Sequence, residues 1–108
     1  MLYLTKALGM EYFMEKIHTP EVDALFDAIL SLDSREECYK FFEDALTTKE
    51  ILDIAQRLKA AKMLKCGSSY TEVIAATGMS TATISRVSKA LEKGAGGYKI
   101  VMERVEEK

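Results

Sequence analysis

The run Thr71 to Val87, TEVIAATGMSTATISRV, constrains the fold more than any other stretch. A short helical segment ends at Gly78. Met79 follows, then Ser80, and a second helix opens on small polar residues with Ile84 and Val87 on its inner face. Gly78 can take positive φ at little cost and turn the chain sharply. Ser80 or Thr81 can accept from the free amides that start the next helix. The layout is a helix-turn-helix over about 70–92. Any helical hairpin has a glycine turn and a cap, but Thr81-Ala82-Thr83-Ile84-Ser85-Arg86 on the second helix favours a groove-reading role. Small side chains there allow close approach to a duplex.

The charge pattern points the same way. Net charge is −2, which by itself argues against non-specific nucleic-acid binding. From Glu11 to Asp53 there are 4 basic and 12 acidic side chains, and from Arg57 to Lys99 there are 8 basic and 2 acidic. The positive field therefore falls on the half that carries the motif. Two solvated faces of unlike sign are the simpler alternative.

The rest of the chain reads as helix. Thr19-Pro20-Glu21 is a helix start: a cap, a proline at the first position and an acid near the positive end of the dipole. Val22, Leu25, Phe26, Ile29 and Leu30 repeat at helical spacing. Asp33-Ser34 ends this helix, and Ser34 with Glu37 makes a capping-box pattern that opens the next. Cys38, Phe41, Phe42 and Ala45 continue the apolar stripe. Thr47 with Glu50 opens the longest helix, to about Lys65, with Ile51, Ile54, Ala55, Leu58, Ala61, Met63 and Leu64 as its apolar positions. Gly94 to Gly97 is a flexible break. A last helix carries Tyr98, Val101, Met102 and Val105. No strand pattern occurs.

The length of 108 residues implies one domain, placed at 19–108, after an N-terminal arm over 1–18 that is loosely ordered. Six short helices leave apolar faces that a lone chain covers poorly, and burial between two chains would cover them. Met1 to Met14 is apolar but lacks the basic region and cleavage site of a signal peptide, and Met14-Glu15-Lys16 would also serve as a start. No apolar run is long enough to span a membrane, so a cytoplasmic location is expected. Cys38 and Cys66 match no zinc or redox spacing and read as reduced thiols.

His18, the sole histidine, has no ligand cluster beside it and reads as a surface residue. No metal and no cofactor are implied. Ser85, Ser88 and Cys66 have no base placed beside them by the sequence, and Gly94 to Gly97 follows no strand, so the chain reads as a non-enzyme.

From about Leu46 to Leu91 the chain resembles the Trp repressor family, and more closely its small Trp-repressor-related YerC/YecD branch. Leu46-Thr47-x-x-Glu50 resembles the family's helix opening, and Leu64-x-x-Gly67 the end of its long helix. Ala82-Thr83-Ile84-Ser85-Arg86 resembles its recognition helix. The N-terminal third matches in helical pattern only. The resemblance implies an all-α, six-helix fold and an intertwined homodimer whose N-terminal helices wrap the partner. It also implies two helix-turn-helix units about one duplex turn apart, facing a pseudo-palindromic operator.

Arg57 and Arg86 correspond to the two arginines that sandwich tryptophan in the family. The family's following glycine is Val87 here, and the serine three residues later is Ala90. Valine adds bulk and alanine removes a polar handle, so tryptophan is not the expected ligand. The arginines can still stack on another ring or hold a phosphate, or pair with Glu50 or Asp53.

The candidate duplex contacts are Tyr70, Thr71, Thr81, Ala82, Thr83, Ser85, Arg86 and Lys89. Ala82 suits a thymine methyl; the hydroxyls suit base edges or phosphates; Arg86 and Lys89 suit phosphates, with Lys65 a weaker candidate. Tyr70 is either a backbone contact or a core-edge aromatic, and Thr81 either a contact or a cap. Ile84, Val87 and Leu91 belong to the core face. The expected partners are double-stranded DNA and a second copy, with a small-molecule effector at Arg57 and Arg86 a weaker expectation. The competing reading is a protein-interaction module that keeps the fold without an operator. An RNA-binding role is disfavoured because no aromatic stacking platform is present.

Overall fold

Side-chain caps mark where four of the helices begin. The computed structural model describes residues 16–106, all helix and connecting turns, without a strand among them. The chain divides into two compact units, residues 1–45 and 46–108. Most of the expected arm, up to residue 15, lies outside the described residues.

The first unit contributes α1 (Pro20–Leu30) and α2 (Arg35–Ala45). Thr19 caps α1: its hydroxyl accepts from the Val22 amide at 3.1 Å, and Pro20 takes the first turn. This follows the sequence signal. The helix ends before the expected Asp33-Ser34, because the Ser31 hydroxyl donates to the Ala28 carbonyl at 2.6 Å and its amide turns back on Asp27 and Ala28. At the start of α2 the Glu37 amide donates to Ser34 Oγ at 3.1 Å. The Glu37 carboxylate reaches the Asp33 amide, 2.8 Å away, one residue further back than a capping box requires. Neither helix contains a fully buried residue. Phe41 and Phe42 meet edge to face, with centroids 5.4 Å apart. Leu25, Phe26, Leu30 and Tyr39 are exposed, Leu30 at 81%. These are large apolar groups left exposed among the described residues.

The second unit holds α3 (Thr48–Lys65), α4 (Tyr70–Thr77), α5 (Thr81–Lys93) and α6 (Gly97–Glu106). A complete capping box opens α3: the Glu50 amide donates to Thr47 Oγ1 at 3.1 Å, and the Thr47 amide to the Glu50 carboxylate at 2.9 Å. Lys62 and Lys65 lie in its last turn, where the helix dipole favours cations. Gly67, at φ 92°, then reverses the chain. Ser69 and Glu72 repeat the box at the start of α4, at 3.1 Å and 2.7 Å.

These four helices share one core. Ala60, Ala61, Val73, Ile84 and Met102 have no exposed surface, and Val87 is 4% exposed. Leu58, Met63, Leu64, Met79, Leu91 and Tyr98 pack around them. Helices α4 and α5 both lie against α3 and against each other, and α6 touches α3 and α5. Burying each of the larger side chains contributes about 1.5–3 kcal/mol. Ile84 and Val87 sit in the core, where their spacing places them, and the apolar stripe of α3 is covered over only part of its length. Ala60, absent from that stripe, is fully buried, while Ile54 is 55% exposed.

Two predictions follow from these ends. Gly78 is left-handed at φ 72°, and a Cβ there would meet nothing within 4 Å. Gly78→Ala therefore carries only the backbone strain, about 1–2 kcal/mol, read as a lower urea midpoint; Gly78→Asn loses less. In the two boxes, hydrogen bonds from the backbone amides and then the hydroxyls of Thr47 and Ser69 hold the Glu50 and Glu72 carboxyls below the ordinary glutamate value. A depressed folded-state pKa gives stability that is present above the unfolded value of about 4.3 and lost as pH falls through the folded one. Thermal melts should fall across that acid window, and the Glu50→Gln, Glu72→Gln double variant should fall less steeply.

Candidate nucleic-acid interface

The turn between α4 and α5 sets the pose of the candidate reading helix. Gly78 ends α4, its amide donating to the Ile74 carbonyl at 2.8 Å. Thr77 Oγ1 donates to the Val73 carbonyl at 2.7 Å and accepts from the Met79 amide at 3.2 Å. Ser80 caps α5 by accepting from the Thr83 amide at 3.2 Å. Ser80 is therefore the cap, and Thr81 is the first residue of the helix. Lys59 of α3 donates to the Ala76 carbonyl at 3.4 Å, placing a cation at the negative end of α4.

On α5, Ala82, Arg86, Lys89 and Lys93 recur at helical spacing, and all four are exposed. Ile84 and Val87 point the other way, into the core. The helix thus shows water a face with a small residue near its start and three cations further along. Thr81 is exposed beside Ala82. Thr83 and Ser85 are half-buried, and the Thr83 hydroxyl lies 3.0 Å from Ser80 Oγ. Thr83 is thus engaged in the cap, so a groove contact from it would share or replace that bond.

Tyr70 and Thr71 occupy the first turn of α4, both exposed, Tyr70 at 39%. The box places the Glu72 carboxylate at this same helix start and uses the Ser69 and Glu72 amides. A phosphate approaching α4 therefore meets a carboxylate as well as the dipole, which weakens the site expected there. Lys65 pairs with Glu106 at 3.8 Å rather than standing alone.

The structure brings Arg57 and Arg86 to one cleft. Together with Thr83, Val87, Ala90 and Tyr98 they line a cavity of about 320 Å³. Neither arginine takes the carboxylates offered by the sequence reading: Asp53 binds Lys49 at 2.7 Å, and Glu50 closes its capping box. Tyr98 is the residue of this cleft that sequence reasoning missed. It was read only as an apolar position of the last helix, and no local signal connects it with residues on α3 and α5.

A family model described as Trp repressor protein matches residues 20–106. The chain belongs to the Trp repressor family. The match extends the resemblance through the N-terminal helices, where no motif was legible. YerC of Bacillus subtilis strain 168, described as an uncharacterized protein, is 47% identical over 94 residues, covering 87% of this chain and 90% of the relative. A crystal structure of a candidate Trp repressor from Staphylococcus aureus superposes with a TM-score of 0.82 at 46% identity, covering 86% of this chain and 93% of the other. A TrpR-like protein from Eubacterium eligens ATCC 27750 also gives 0.82, at 48% identity, covering 85% of this chain and 95% of the other. The all-α Trp-repressor-like fold is therefore established. The family is one of DNA-binding regulators and not of enzymes. Among the described residues no helix is long and apolar enough to cross a membrane.

Proposed function

We propose that this chain is a homodimeric, sequence-specific DNA-binding transcriptional regulator, acting as a cytoplasmic repressor that does not respond to tryptophan. The observation that carries the reading is the exposed face of α5, with Ala82 near its start and Arg86 and Lys89 behind it, posed by the Gly78 turn and the Ser80 cap. Arg86 and Lys89 hold phosphates. Thr81 and Ala82 approach the base edges, with Thr83 and Ser85 closer to the helix packing. Tyr70 and Thr71 meet the backbone at the start of α4, where Glu72 keeps the contact weak.

The apolar surface that each unit leaves uncovered supports the dimer reading. The first unit exposes Leu25, Phe26, Leu30 and Tyr39, and the second exposes Leu52, Ile54, Val101 and Val105. A second copy offers apolar surface for both sets. Two reading helices related by a two-fold axis then face half-sites about 34 Å apart. The residues from 19 onward act as a single Trp-repressor-like domain in that assembly.

Tryptophan is disfavoured by Val87 and Ala90, both in the wall of the Arg57–Arg86 cleft. A cleft with a methyl in place of a hydroxyl loses one of its polar handles on an amino acid. A second reading, a protein-interaction module, draws on the apolar, acidic helices of the first unit and on the shortage of long base-reading side chains at Thr81, Ala82 and Ser85.

Duplex affinity measured against salt separates the two. In the DNA-binding reading, Arg86→Ala and Lys89→Ala each weaken binding to all sequences and each lower the slope of log affinity against log salt by about one. Their thermal stability should stay near that of the parent, since both side chains are exposed. An interaction module binds duplex weakly and is indifferent to both substitutions. Sedimentation should return a particle of two 12.1 kDa chains.

A further inference from the structure

The loop between α5 and α6 turns tightly. The Gly94 amide donates to the Ala90 carbonyl at 3.0 Å, and a Cβ on Gly94 would run into that same carbonyl. Gly96 then takes φ 90°. This tight return delivers the start of α6 onto the last turns of α5, and Tyr98 is its second residue.

Two cavities of the second unit meet at Tyr98. One, of about 320 Å³, is the cleft that contains Arg57, Thr83 and Arg86. The other, of about 530 Å³, is apolar, with Ile54, Leu58 and Val101 in its walls. Arg57, Ala90 and Tyr98 belong to both. The half-buried Tyr98 thus lies where the two cavities adjoin, together with Arg57 of α3 and Ala90 of α5, and packs against the core. It shares a wall with the α5 segment that carries Thr83, Arg86 and Ala90. Whatever sets the spacing of α3 and α5 here also sets how far those residues stand out from the body.

We infer that Tyr98 is a positioning residue: its ring, supplied from within the chain, props α5 against α3 and holds the reading face in place, so that duplex binding needs no small-molecule effector. The inference rests on the DNA-binding reading above. A side chain that only filled the core would be replaced by any apolar group of similar bulk. A prop needs a flat ring at that place, and a free ring of the same shape can substitute for it.

The test is duplex binding by the full chain as wild type, Tyr98→Phe, Tyr98→Leu and Tyr98→Ala, with and without p-cresol, the tyrosine side chain as a free molecule. Thermal melts are recorded alongside. Wild type should bind without any additive and gain nothing from p-cresol. Tyr98→Phe should keep its affinity. Tyr98→Leu should melt near the wild-type temperature yet lose affinity by about tenfold. Tyr98→Ala should lose at least as much, and p-cresol should both raise its melting temperature and restore binding. The salt slope should stay unchanged throughout, because no phosphate contact is removed. A Tyr98→Leu variant that binds like wild type would overturn the inference and leave Tyr98 a core residue. So would a Tyr98→Ala variant that p-cresol stabilises without restoring affinity. Failure of the wild type to bind any duplex overturns the DNA-binding reading itself and the inference with it.

Discussion

Ala60 and Ala61 set the distance at which everything in the second unit is built. Both are fully buried in the C-terminal half of α3, the helix against which α4, α5 and α6 all pack. A methyl side chain lets a neighbouring helix approach closely, and a larger one would push it outward at a cost of about 1–3 kcal/mol. Because α4 and α5 rest on this surface through Val73, Ile84 and Val87, the angle of α5 is inherited from α3. The glycine turn and the serine cap fix α5 relative to α4, and the two alanines fix the pair relative to the rest. The cationic face on the outside of α5 has a defined direction only because the inside is packed to this tolerance.

Electrostatics then act on a frame that is already set. The basic balance between Arg57 and Lys99 is not spread evenly over the surface. Lys59 is tied to the end of α4, and Lys65 to Glu106, while Arg86, Lys89 and Lys93 remain on the outward face of α5. Lysines engaged within the fold are thus separate from the cations on the outward face of α5. Glu72 is the exception, a carboxylate placed at the start of α4 by its capping box. It stabilises the helix and puts a negative charge at an end whose dipole would otherwise favour an anion.

What could be read from the sequence was mostly local. Thr47 with Glu50, Ser80 with Gly78, and Thr19 with Pro20 announce themselves, because a cap and its partner lie within a few residues and their chemistry does not depend on distant packing. Ile84 and Val87 were legible for the same reason, as one face of one helix. Ala60 was not, since alanine carries no strong apolar signal and its burial is decided by helices that arrive later in the chain. Ile54 belongs to the apolar stripe yet is exposed, because periodicity reports an apolar face without saying what covers it. In the candidate site, the exposed order of α5 was legible from spacing and from family likeness. Two details were not: the engagement of the Thr83 hydroxyl with Ser80, and the arrival of Tyr98 beside Arg57 and Arg86. Both depend on three-dimensional closure, and the second joins residues from three helices.

The central claim is that the outward face of α5 reads a particular duplex sequence. It is tested most directly by passing a pool of genomic duplex fragments over the purified chain at two salt concentrations and sequencing what is retained. The account predicts an enriched palindromic motif, held strongly at low salt and steeply released as salt rises. Retention of all fragments alike would reduce the interface to backbone contact without readout. Retention of none at either salt would contradict the claim outright and turn attention to the apolar, acidic helices of the first unit as the working surface.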